Sequence, residues 1–135
     1  MKKIFGFCLV FLLFFAASGF SQNSIAASQE LRVLSFEANG NDYAPNIISA
    51  TLNRYRDNTY QLCIYYRGNT PAEFFYFNNP RRGSTGYTEY DVSIQVSGGD
   101  SAFGFMGTII PSAGNLTGIN IYSGNQRVAY VLLRE

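Results

Sequence analysis

The chain has 135 residues, with ten Lys plus Arg, nine Asp plus Glu, and neither His nor Trp. That is the length of one domain, without the cationic face that nucleic acid requires or the acidic run that would suit a basic partner. Without histidine there is no Ser-His-Asp or Cys-His catalysis and no zinc site built on imidazole.

Taken in chain order, the first element reads as an export signal. "MKK" is a positive start, "IFGFCLVFLLFFAA" is apolar throughout, and "SGFSQ" has small residues at signal-peptidase spacing. Gly19 and Ser21 fill the small-residue positions, which puts cleavage after Ser21, with Gly19 or a site as late as Ala26 as alternatives. The apolar run is shorter than the ~20 residues a membrane span needs. Cys8 lies inside the run and not at its end, so it makes no lipoprotein signal. Both lysines, Lys2 and Lys3, leave with residues 1–21, and what remains carries eight Arg against nine carboxylates, a net charge of −1. Only Cys63 then remains, which excludes a disulfide within the chain.

Residues 22–30 read as a loose lead, and 31–135 as a single β domain. Strands are expected at 31–38, 47–55, 59–67, 73–77, 90–96, 102–110, 116–122 and 127–134. In "YDVSIQV", Tyr90, Val92, Ile94 and Val96 share one face, while Glu89, Asp91, Ser93 and Gln95 share the solvated one. In "TYQLCIYYR", Tyr60, Leu62, Ile64 and Tyr66 oppose Gln61, Cys63, Tyr65 and Arg67. "RVAYVLLR" is apolar on both faces, as a covered strand would be. Asp57-Asn58, Gly124-Asn125 and "SGGDS" supply the positive φ that hairpin turns use. No segment has helical apolar spacing.

This pattern predicts an all-β, antiparallel, two-sheet sandwich, Ig-like or jelly-roll-like, of about eight strands, with an eight-stranded barrel as the alternative. The sandwich is preferred because "NPRRGSTG" is longer than an up-and-down barrel needs and suits a crossing between sheets.

In "EFFYFNNPRRGSTGY" the rings fall on both faces, Phe75 and Phe77 on one side and Phe74 and Tyr76 on the other, so the strand is expected to be covered. The segment after it makes the candidate contact surface: Asn78, Asn79, Arg81, Arg82 and Tyr87, with Arg forks suited to carboxylates, phosphates and rings. In "SAFGFMG", Phe103 and Phe105 are expected on one face, with small residues leaving room for close packing. Cys63 is expected to be a packing residue, and Glu89 and Asp91 a solvated pair and not a catalytic one. "NGND", "RDN" and "GGDS" read as turns and not as calcium loops.

These residues predict an exported, non-enzymatic binding module without cofactor or metal. It would recognise an extracellular or periplasmic glycan or protein through Tyr, Asn and Arg loops, with no nucleic acid and no membrane span after cleavage. A fibre or adhesin subunit, and an exported inhibitor or immunity-type protein, are the alternatives.

Overall fold

The computed structural model describes residues 24–135; the expected export signal and the expected cleavage site after Ser21 lie outside them. Nine strands follow in order: β1 (Ile25–Ala38), β2 (Asn41–Asp42), β3 (Ile47–Tyr55), β4 (Tyr60–Tyr66), β5 (Glu73–Arg82), β6 (Thr88–Val96), β7 (Ser101–Ser112), β8 (Leu116–Ser123) and β9 (Gln126–Arg134). A 3-10 turn at Ala44–Asn46 leads into β3. Each barrel strand from β3 onward pairs antiparallel with the next, and β9 returns to β1, so eight strands close into a barrel with β2 added beside β1.

The all-β antiparallel architecture is the one expected, but it closes as the alternative barrel and not as two sheets. The middle segment shows why. β5 does not stop at Phe77; it continues through a bulge between Asn78 and Arg81 and pairs Arg81 with Glu89 and Arg82 with Thr88. Asn79 takes φ 52° at that bulge, a left-handed conformation that asparagine tolerates. Pro80 sits inside the irregular pairing, where a missing N–H disturbs the ladder least. The extra length is therefore strand, and a crossing between sheets is unnecessary.

β1 makes closure work. Ile25–Leu31 pair with β3, and Arg32–Ala38 pair with β9, so one strand serves both sides of the seam. Its start at Ile25 also makes strand of most of the expected loose lead. Register shifts recur in β1, β3, β5, β7 and β9 pairings. Bulges of this kind bend and twist strands, and closure needs that curvature.

The interior is apolar. Leu31, Phe36, Ala50, Leu52, Leu62, Ile64, Phe75, Phe77, Tyr90, Val92, Ile119, Ile121, Val131 and Leu133 form one buried cluster. An apolar lumen is the reverse of a membrane barrel, which turns its apolar band outward. No helix among the described residues is long and apolar enough to cross a membrane.

One half of the lumen is filled by rings. Phe77 and Tyr90 meet edge to face with centroids 5.9 Å apart, and Tyr60 meets Tyr90 in the same way at 5.9 Å. β7 makes space for them with Gly107, where a Cβ would come within 3.0 Å of the Phe77 ring and 2.7 Å of Val92. β7 departs from the expected alternation at Gly104. It adopts φ +90° inside a bulge that sets Phe105 opposite Val92 and Ala102 opposite Ile94. The extra residue turns Phe103 out to solvent, 76% exposed, while Phe105 packs on the core. The two rings do not share a face, because a one-residue slip exchanges the faces.

Candidate functional site

The described residues leave the mouth of the barrel open at the 39–46, 67–72, 97–100 and 124–125 connections. Inward positions near that end carry small side chains: Ala38 on β1 lies directly across from Ala129 on β9. Where the other half of the lumen has Phe77 and Tyr90, this half has a bowl of about 910 Å³. That is the size of a small-molecule site. An eight-stranded barrel has just enough lumen to be filled or to hold one small ligand, and here each half takes one of those options.

Its walls are Phe36, Phe75, Ile94, Phe105, Ile121, Val128 and the two alanines, with Tyr43 and Tyr66 nearer the rim. Phe36 touches Tyr43 edge to face at 5.9 Å and Phe75 at 6.0 Å, so three rings run continuously from rim to floor. Tyr43 is held there by the connection between β1 and β3. The Asp42 carboxylate accepts from the backbone N–H of Phe36 and of Ala44, each at 3.0 Å, and the Tyr43 N–H donates to the Phe36 carbonyl at 2.8 Å. Those two bonds to Asp42 hold its carboxyl below the usual carboxylate range.

The polar side chains lining the bowl include Asn39, Asn46, Tyr66, Arg67, Thr70 and Glu73. Glu73 opens β5 and, by period two, shares the inward side with Phe75 and Phe77. Tyr66 ends β4 on the inward side with Leu62 and Ile64, and its hydroxyl donates to Glu73 Oε1. Burial, and then that bond, push the Tyr66 phenol far above its ordinary value, so it keeps its proton. Arg67 lies exposed at the rim, its Nε donating to the Pro45 carbonyl at 3.2 Å and its backbone N–H to the Asn46 carbonyl at 2.8 Å.

The residues expected to form the contact surface lie elsewhere. Asn78, Asn79, Arg81, Arg82 and Tyr87 belong to the β5–β6 hairpin, whose tip is at the opposite end of the barrel from the bowl. Arg81 pairs with Asp91 at 3.0 Å and also donates to the Asn79 carbonyl at 3.2 Å, and the Asn79 amide donates to Asp91 at 2.8 Å. Asp91 is lowered by Asn79 first and by Arg81 after it. The Arg81 fork is thus engaged within its own hairpin. Asn78 and Asn79 border a shallow groove of about 390 Å³ with Phe103 and Met106, and Arg81, Arg82 and Tyr87 do not line it. Tyr87 is half exposed.

One bowl residue is marked in the sequence itself. Glu73 stands two residues before Phe75 and four before Phe77, which puts a carboxylate on the apolar side of a strand. Ala38 and Ala129 carry no such mark, because their pairing depends on barrel closure.

On the outer surface a polar ribbon crosses five strands. Ser28 donates to Asn53 at 2.6 Å, Asn53 to Gln61 at 3.0 Å, Gln61 to the Tyr76 hydroxyl at 3.4 Å, and Tyr76 to Gln95 at 3.4 Å. Cys63 is buried beside it between Thr51 and Phe74, and burial raises its thiol above the ordinary value, which leaves a poor nucleophile. Among the described residues no group of three or more His, Cys, Asp or Glu side chains could hold a metal ion.

No protein-family model matches this chain, and neither a curated protein nor a solved structure does.

Proposed function

We propose that this chain is an exported, non-enzymatic binding protein that takes a small, largely apolar molecule into the open mouth of its barrel. One observation carries the reading: a bowl of about 910 Å³ whose inner walls are rings and aliphatic side chains, with Asn39, Asn46, Arg67, Thr70 and the hydrogen-bonded pair Tyr66 and Glu73 as its polar groups. Sites for small ligands are concave and mostly apolar, with a few placed polar groups that orient the occupant. The lack of histidine supports binding without catalysis. Export rests on the "MKK" start and the apolar run, and the intact mass of exported protein should place its first residue at Gln22.

The test uses N-phenyl-1-naphthylamine, a neutral dye whose emission rises in apolar surroundings. Titration should give a saturable rise, and Ala129→Trp, which plugs the bowl with an indole, should abolish it while the fold is kept. An equal rise with the plugged variant would refute the site.

A second reading keeps a glycan as partner, moved to the outer surface. Tyr55, Asp57, Thr59, Tyr60, Tyr76 and Asn78 line a groove of about 340 Å³, with tyrosine rings beside hydrogen-bonding groups. Tyrosine offers a flat apolar face with a polar tip, which suits a sugar ring. Retention on immobilised oligosaccharides that is lost in Tyr76→Ala, with dye binding intact, would favour this surface.

A further inference from the structure

The charge inside the bowl selects its occupant: we propose that the ligand is an organic cation, an apolar body carrying an ammonium group that sits beside Glu73 and against the surrounding rings. This rests on the bowl being the binding site.

Among the described residues Glu73 is the one carboxylate lining the bowl, it is half-buried, and no cation pairs with it. Its hydrogen bond from Tyr66 satisfies one oxygen through a neutral donor and leaves the negative charge unbalanced. A carboxylate partly removed from water without a counter-charge is costly, and a bound cation removes that cost. The rings around it supply the second attraction. Phe36, Tyr43, Phe75 and Phe105 line the same space as Glu73, and ring faces attract cations by their quadrupole. Arg67 also lines the bowl, at its exposed rim, where its Nε donates to the Pro45 carbonyl, and it forms no ion pair with Glu73. An anionic head would meet the like charge of Glu73.

The experiment is displacement of N-phenyl-1-naphthylamine from the unaltered protein by three molecules with the same tail: octylammonium, 1-octanol and octanoate. Octylammonium should displace the dye at a concentration about tenfold lower than 1-octanol, the scale expected of a charge-assisted bond with ring contacts, and octanoate should be the weakest. Glu73→Gln keeps an acceptor for the Tyr66 hydroxyl and removes the charge. It should still bind the dye, and the preference should vanish, with octylammonium and 1-octanol displacing the dye at the same concentration. Saturable dye binding with no preference for octylammonium, or with octanoate strongest, overturns the cation assignment and leaves the bowl standing. Absence of dye binding overturns the bowl itself and the assignment with it.

Discussion

Gly107 and Phe77 show how single residues set the lumen. The Phe77 ring occupies the space that a Cβ on Gly107 would need, so the two positions are matched across the interior. Gly107→Ala should cost about 1–3 kcal/mol, the range for overpacking a filled core. Phe77→Ala, which empties a fully buried aromatic site, should cost about 3–5 kcal/mol. Denaturant unfolding of both variants checks the pair, and a neutral Gly107→Ala would mean that the ring is free to move aside. Tyr66 is tested by pH. Its phenol is held above the ordinary value of 10.0, so the folded state keeps a proton that the unfolded chain releases. The stability this gives is complete below pH 10.0 and is lost as pH rises above it. Tyr66→Phe, which cannot ionise, should flatten part of the alkaline decline in melting temperature, and an unchanged decline would assign it to the other tyrosines.

At the scale of elements, the β5–β6 hairpin and the β1–β3 connection behave differently. The hairpin ion pair of Arg81 and Asp91 is exposed at 41% and 53%, and exposed pairs contribute little. Replacing Arg81 and Arg82 together with alanine should shift stability by less than about 0.5 kcal/mol, as substitutions at such surfaces do. Cooperative unfolding of that variant under mild conditions would show the pair to be structural. The β1–β3 connection is pinned by Asp42, whose carboxyl is lowered by its two backbone donors. Its contribution is present above the ordinary value of 3.8 and is lost as pH falls below it. The hydrogen-exchange protection of residues 39–46, taken relative to the intrinsic rate at each pH, should therefore fall selectively on acidification, and Asp42→Ala should show that lower protection at neutral pH. Equal protection in both proteins would remove Asp42 from its pinning role.

Much of this element structure was legible in the sequence. Period-two alternation marked Tyr90, Val92 and Ile94, and Leu62 and Ile64, as inward residues, and Asp57-Asn58 and Gly124-Asn125 do lie in turns. The extension of β5 was not legible, because Pro80 and the arginines read as loop until the bulge at Asn79 is seen. Nor was the turning out of Phe103, since one extra residue in β7 is invisible to a count of alternating positions.

For the whole molecule, closure decides both the fold and the site. A strand pattern is the same in a sandwich and in a barrel; what separates them here is β1 exchanging β3 for β9 at Leu31 and Arg32. That exchange sets Ala38 against Ala129 and leaves a bowl at one end, while the sequence drew attention to the basic hairpin at the other. The central claim is that ligand enters at the bowl. Amide shift changes in a two-dimensional NMR spectrum, recorded as N-phenyl-1-naphthylamine is added to isotope-labelled protein, test it most directly. The changes should group at residues 36–46, 66–75, 94, 105, 121 and 128–129, with residues 78–87 unmoved. Changes grouped instead on Asn78, Asn79, Arg81, Arg82 and Tyr87 would place the site on the hairpin and contradict it.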